Sequence, residues 1–198
     1  MNVKRRSLLL LASLALLAGA VQAQNTGGKW TQPVTGETVR NLSYSATATV
    51  LGKPAKFEVN FFCDPSNHKE SAGALGVEVS FAGSDKLSGF TFAAFDGPDA
   101  PAQAKKLMQL SVDGKPGFQA NEQASVSYSD GKTFTFIVSE LTRRAKSPAK
   151  SFLQTIAAAG DNVTIVITDF KNPKLTLQIT VPVADQRSAF KKLLLDVK

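Results

Sequence analysis

The chain is 198 residues long, carries a formal net charge of +7, and contains one cysteine and one histidine. A single cysteine excludes an internal disulfide framework, and one Cys with one His falls short of the three or four ligands of a zinc site. After residue 23 no stretch approaches the roughly 18 apolar residues of a membrane-spanning helix. The length of the chain suits one domain with a sizeable core.

Residues 1–23 have the pattern of a secretory signal peptide. Three cations at 4–6 precede an apolar run at 8–20, and Val21-Gln22-Ala23 is a small-x-small cleavage site. The pattern predicts a bacterial protein exported to the periplasm or secreted, with Gln24 as its first mature residue.

The positive charge is concentrated in the last third of the chain. Residues 24–140 carry a balance of −2, whereas residues 141–198 carry +6. The excess predicts either a solvated basic face or a site for an acidic partner, such as an acidic envelope protein, a polyanionic glycan or an anionic envelope surface. Nucleic acid is not expected as a partner, because no binding motif for it is present.

Residues 24–41 are rich in glycine, threonine and glutamine and have no apolar period. They are predicted to be a flexible N-terminal segment, followed by one domain over residues 42–198. Trp30 stands out in this segment, and it is interpreted as a packing anchor and not as a platform for a ligand.

Alternation of apolar and polar residues predicts most of the following elements as strands. Asp130-Gly131 is the strongest hairpin signal, because this pair favours the tight turn between two alternating runs. Further turns are predicted at 52–55, 83–85 and 113–114, and the prolines and glycine of 96–101 predict a loop. Strands are expected near residues 44–50, 57–61, 75–81, 90–95, 108–112, 126–128 and 134–138.

The last third begins with helix signals. Ser147 can cap a helix through its hydroxyl, and Pro148 suits the first helical position, where no N–H is needed. Phe152 and Ile156 lie four residues apart and give the helix one apolar face. Gly160 is predicted to end the helix in the left-handed conformation.

Two strands and a closing helix are predicted after Gly160. Alternating residues predict strands at 163–168 and 175–181, joined by a turn at Asn172-Pro173. Phe190 and Leu194 stand at helical spacing and predict a short amphipathic helix that folds back on the sheet.

These elements together favour a mainly β fold. About eight or nine strands, turn signals at short intervals and helix signals near the C-terminus predict an antiparallel β-sandwich, or an open barrel, with one or two short C-terminal helices. The thirteen phenylalanines suit a core between two sheets.

Catalytic motifs are weak in this sequence. Cys63 and His68 could form a thiol nucleophile and its base, but Cys63 follows two phenylalanines and is predicted to be buried; an intermolecular disulfide is the alternative. Glu58, Glu78 and Glu140 lie on separate predicted strands, and any two could meet as in a glycosidase. No cofactor and no metal are predicted, since phosphate-binding, calcium-binding and serine-nucleophile motifs are missing.

Four cations surround the predicted start of the C-terminal helix. Arg143, Arg144, Lys146 and Lys150 are candidate partner-binding residues, because a helix N-terminus already favours anions and the cations strengthen that field. The alternative is a solvated loop without a partner.

The C-terminal block resembles the end of the invasion-associated locus B family and of small periplasmic accessory proteins of type VI secretion. The segments FLQTIAAAG, VTIVI, LTLQITVPV and SAFKKLL carry this resemblance, over residues 151–195. It implies a signal-peptide-bearing β-sandwich protein without known catalytic machinery. The family pattern usually has paired cysteines where this chain has Cys63 alone, and a glycine where it has Val183-Ala184-Asp185, so no site residue is carried over.

The sequence thus predicts a non-enzymatic exported binding or accessory protein that acts by protein–protein interaction in the cell envelope, with an inhibitor or immunity protein as one form. One alternative is an envelope hydrolase that uses carboxylates from separate strands. Another is a carrier of a hydrophobic ligand, which would need an apolar cavity between the sheets.

Overall fold

A computed structural model describes residues 25–31, 40–50, 53–64, 74–87, 89–119, 124–129, 132–141 and 147–195. Two antiparallel sheets account for most of these residues. The larger sheet has the order β1-β2-β3-β4-β8-β7 and the smaller one β10-β9-β5-β6. The prediction of a mainly β, sandwich-like fold with short C-terminal helices is confirmed. The strands are β1 (Asn25–Trp30), β2 (Asn41–Val50), β3 (Lys53–Asp64), β4 (Ala74–Ala82), β5 (Met108–Val112), β6 (Lys115–Gln119), β7 (Ala124–Ser129), β8 (Thr133–Leu141), β9 (Asn162–Thr168) and β10 (Thr176–Pro182).

The register of the large sheet separates a core face from an outer face. Ala46, Phe57, Phe81 and Phe134 lie opposite one another on four neighbouring strands, and all four are buried. Their chain neighbours point the other way, because successive side chains of a strand alternate between faces. This is why the alternation of apolar and polar residues in the sequence predicted these strands correctly.

Three α-helices accompany the sheets in the described part of the chain: α1 (Ala100–Leu107), α2 (Pro148–Ala159) and α3 (Arg187–Leu193). α2 connects β8 of the large sheet to β9 of the small one, and it contacts β4, β5 and β6. Leu153 and Ile156 of α2 are fully buried, as is Phe190 of α3, so both helices close the core as predicted. No helix among the described residues is long and apolar enough to cross a membrane.

Trp30 joins the two sheets. Its ring packs against Tyr44, Phe61 and Phe190, and its Nε1–H donates a hydrogen bond of 3.0 Å to the carbonyl of Pro182 on β10. Trp30 is therefore the packing anchor that the sequence predicted. The expectation of a flexible segment over 24–41 is corrected for β1, which pairs with β2 despite its lack of apolar period.

Residues 90–95 do not form the predicted strand. Phe92–Phe95 is a 3-10 helix, in which residues three apart share one side. Phe92 and Phe95 both use that side to pack against Phe134 on the core face of β8. Packing against the sheet therefore decides the local conformation, which propensity alone could not show.

The predicted loop at 96–101 is shorter than expected, because α1 begins at Ala100. Pro101 is tolerated there, since the first turn of a helix leaves its N–H groups without helical partners. β6 was missed because Pro116 and Gly117 disfavour strands. It lies at the edge of the small sheet and pairs with β5 on one side only, and edge strands are where prolines are tolerated.

Two turns also differ from their predictions. The turn predicted at 52–55 is shorter, because β3 begins at Lys53 and Pro54 already pairs with Thr49. Gly160 ends α2, but in an extended conformation with φ −64° and not in the left-handed one. A Cβ at this position would lie 2.9 Å from Cα of Ile156, so close packing requires the glycine.

Candidate functional site

A groove of about 540 Å³ lies on the outer face of the large sheet. Hydroxyl groups line it, and three of its described lining residues are charged: Lys29 of β1, with Lys56 and Glu58 of β3. All three charged side chains are exposed. The hydroxyl-bearing residues are Ser45 and Thr47 of β2, Ser80 of β4 and Thr133 of β8.

Strand register explains why these side chains meet. Ser45 lies opposite both Lys29 and Glu58, and Glu58 in turn lies opposite Ser80. Residues directly opposite on neighbouring strands share a face and lie within about 4.5–5.5 Å at Cβ. The four residues therefore form one transverse row of polar groups.

A second row lies two residues further along the strands. Lys56 is opposite Thr47 on one side and Ala82 on the other, and Ala82 is opposite Thr133. A hydroxyl both donates and accepts hydrogen bonds, whereas a lysine only donates and a carboxylate only accepts. The groove thus offers a ladder of donors and acceptors along its floor, with both signs of charge.

Glu78 extends the polar face next to the groove. It lies on β4 opposite Asn60, one row from Glu58. Burial raises the pKa of the Glu78 carboxyl above its usual value, and the negative charge of Glu58 raises it further. The sequence suggested that carboxylates from separate strands could meet, and the structure brings these two to one face. Glu140 pairs with Leu75 in the backbone register instead.

Of the predicted basic site, only Lys150 lies within the described residues; Arg143, Arg144 and Lys146 lie outside them. The N–H of Lys150 donates a hydrogen bond of 2.9 Å to Oγ of Ser147, which confirms Ser147 as the N-cap of α2. The basic site itself stays a prediction.

Cys63 is buried in the core, with 1% of its surface exposed, on the β3 position opposite Leu75. A thiol so enclosed cannot reach a substrate, which argues against a cysteine nucleophile. His68, its suggested base, lies outside the described residues. Within those residues no three His, Cys, Asp or Glu side chains are grouped so that they could hold a metal.

A second concavity, of about 220 Å³, lies between α2 and the β5–β6 hairpin. Phe152 of α2 and Gly117 of β6 line it, and a Cβ at Gly117 would meet the ring of Phe152 at 2.6 Å. A carrier of a hydrophobic ligand would need a cavity between the two sheets, and neither this concavity nor the groove lies there.

One signal for the groove is present in the sequence, the alternation of Ser and Thr residues with apolar residues on β2 and β4. It predicted their polar face but not that β8 lies next to β4, which completes the groove with Thr133. Comparison with protein-family models, curated proteins and solved structures finds no match to this chain. The resemblance of its C-terminal block to the invasion-associated locus B family therefore stays a prediction.

Proposed function

We propose that this protein is an exported, non-enzymatic binding or accessory protein of the bacterial cell envelope, and that it holds a segment of another protein in the outer groove. The observation that supports this most is the groove itself. Its floor presents rows of hydroxyl groups, and Lys29, Lys56 and Glu58 are exposed around it.

The composition of the groove favours binding over catalysis. Among its described lining residues, Glu58 is the one carboxylate, and histidine and cysteine are missing. Ser45 lies opposite Lys29 and Glu58, and Ser80 lies opposite Glu58, but the described lining residues supply no histidine, the usual base for a serine nucleophile.

The chemistry of the groove fits an extended polypeptide segment. Main-chain N–H and C=O groups alternate along such a segment, and hydroxyl groups can serve either kind. Lys29 and Lys56 favour acidic side chains on the partner, while Glu58 fixes one position for a cation. The same preference for an acidic partner follows from the predicted basic site at Arg143, Arg144, Lys146 and Lys150.

Affinity capture tests this proposal. The purified protein, expressed without residues 1–23, is used to recover partners from an envelope extract, beside the variant Lys29→Glu/Lys56→Glu. We expect recovery of the specific partner to fall at least about tenfold, because like charges facing each other at an interface cost several kcal/mol.

The control for this experiment is Lys191→Glu/Lys192→Glu, which makes the same change of charge on exposed residues of α3. Its recovery should stay near the wild-type level. Equal partner recovery by the groove variant and the wild type would show that the groove does not bind the partner.

Export rests on residues 1–23, which lie outside the described residues. Mass spectrometry of the protein from its host should show a chain that begins at Gln24. An intact Met1 on the accumulated protein would contradict export.

A hydrolase is the second candidate, because Glu58 and Glu78 share a face and the pKa of Glu78 is raised, as a general acid requires. If this is the function, the wild type cleaves a glycan substrate and either Glu58→Gln or Glu78→Gln reduces the rate by about a hundredfold or more. Full partner recovery by both variants, with no cleavage by the wild type, would support binding alone.

A further inference from the structure

The turn between β9 and β10 presents an aromatic side chain to solvent. Phe170 has 49% of its surface exposed, and Phe170 and Leu195 are the exposed large apolar residues of the described chain. Lys171 and Lys174 follow it in the same turn, and all five residues of the turn tip, 170–174, are exposed. This tip is called the Phe170 turn below.

Hydrogen bonds at its base hold the Phe170 turn in one shape. The buried carboxylate of Asp169 accepts from the backbone N–H of Lys171 at 2.8 Å and of Asn172 at 2.6 Å, and also from that of Thr91. The N–H of Leu175 donates to the carbonyl of Asn172 at 2.8 Å. Little conformational entropy is therefore left to lose when the tip binds, which lowers the free-energy penalty of docking.

The charge around the Phe170 turn is positive. Lys171 and Lys174 belong to the tip itself. Lys106 is the second-last residue of α1, two residues before Met108. Met108 is the first residue of β5 and pairs with Ile167 near the end of β9. Lys106 is thus at the same end of the small sheet as the turn. The carboxylate next to Phe170 in the chain, that of Asp169, is turned inward onto backbone N–H groups.

We propose that the Phe170 turn docks on an anionic lipid bilayer. The phenyl ring of Phe170 enters the boundary between headgroups and acyl chains, and Lys171 and Lys174 contact anionic headgroups. A protein partner fits less well, because binding hot spots lie in packed pockets surrounded by residues that exclude water, whereas this tip is convex and solvated. A fluid lipid surface closes around a convex tip without a matching pocket.

Vesicle co-sedimentation tests this inference. The purified protein should pellet with phosphatidylglycerol/phosphatidylcholine vesicles at low salt and not with pure phosphatidylcholine vesicles. Phe170→Ser should weaken the association about fivefold, since only the exposed half of the ring remains to be buried. Lys171→Ser and Lys174→Ser should each weaken it by a similar factor.

Matched controls come from α3 and the residues after it. Leu195→Ser removes the other exposed large apolar side chain, and Lys191→Ser/Lys192→Ser removes two exposed cations. α3 follows the opposite end of β10 from the Phe170 turn, so both controls should bind as the wild type does. A loss in the controls as large as in the turn variants would overturn the inference and indicate general charge adhesion.

A fluorescent variant makes the result independent of a loss of folding. Phe170→Trp should retain binding, and its emission should shift to the blue with anionic vesicles only. Trp30 contributes a constant background, because its indole N–H is bonded to Pro182 within the domain. Failure of the wild type to bind either vesicle, or binding by Phe170→Trp without a spectral shift, would also overturn the inference.

Discussion

Asp169 is a buried carboxylate that organises two loops. Burial raises the pKa of its carboxyl, but backbone N–H groups of Thr91, Asn172 and Lys171 lower it by more, so the pKa lies below its usual value of 3.8. The charged form is thus the one that the fold requires. The loop that contains Thr91 and the β9–β10 turn are connected through this one side chain.

Replacing Asp169 by Asn should lower the free energy of unfolding by about 1–3 kcal/mol at neutral pH, because one amide oxygen cannot accept all three N–H groups. A group with a depressed folded pKa stabilises above its unfolded pKa, and this contribution is lost as pH falls through the folded pKa. Urea unfolding should therefore show the gap between variant and wild type narrowing below about pH 4. A constant gap from neutral pH to pH 3 would contradict the assigned role.

Glu78 should show the opposite dependence on pH. Its pKa is raised by burial and by Glu58, so the folded state binds protons more readily than the unfolded state, and stability falls as pH rises above the usual value of 4.5. Glu78→Gln should therefore raise the melting temperature at neutral pH, and the gain should vanish near pH 4. Lys56→Gln, which removes an exposed charge of the opposite sign two rows away on the same face, is the control and should give no such gain. A lower melting temperature of Glu78→Gln than of the wild type at neutral pH would contradict this interpretation.

Among the elements, the end of α2 depends on a tight approach. A Cβ at Gly160 would lie 2.9 Å from Cα of Ile156 and 3.1 Å from Cγ1 of Val112. Because φ is −64°, the backbone itself tolerates any residue. Gly160→Ala should therefore lower the free energy of unfolding by about 1–3 kcal/mol through overpacking.

Gly97→Ala is the control for that experiment. Gly97 has φ +78° but open space around the position of a Cβ, so alanine there adds backbone strain without a clash. Its effect should be about 1 kcal/mol or less. If Gly160→Ala unfolded at the same urea concentration as the wild type, the close packing of this helix end would be refuted.

Element types were predictable wherever side-chain period and burial agree. β9 and β10 alternate strictly, Ser147 and Pro148 mark the start of α2, and each was found as predicted. The exception at Phe92–Phe95 arises because an apolar run without clear alternation can pack in several ways. The sheet selects one of them through ring contacts with β8. Such a choice depends on contacts that are distant in sequence.

At the scale of the whole molecule, Trp30 connects edge strands of the two sheets. Its hydrogen bond to Pro182 reaches from β1 to β10, which are edge strands of different sheets. Trp30→Phe keeps an aromatic ring but removes this bond, and should lower the free energy of unfolding by about 1 kcal/mol. Leu195→Ala, at an exposed position, should change it by less than about 0.5 kcal/mol. Equal stabilities of the two variants would show that Trp30 does not join the sheets energetically.

The candidate site could be predicted only in part, because it depends on which strands are neighbours in the sheet. The sequence marks which residues of each strand are polar, but not which strands become neighbours. β4 pairs with β8 across β5, β6 and β7, and this pairing brings Thr133 beside Ala82 at the edge of the groove. Long-range pairing of this kind is fixed by the packing of the whole core and not by local period.

Site-specific photo-cross-linking shows whether the outer groove holds a partner protein. A photoreactive benzoylphenylalanine is placed at exposed Ser45 in the groove or, as the control, at exposed Ser151 on α2, and both variants are irradiated in the native host. We expect one discrete adduct of higher mass from position 45, weakened by Lys29→Glu/Lys56→Glu, and none from position 151. No adduct from position 45, or the same adducts from both positions, would contradict binding in the groove.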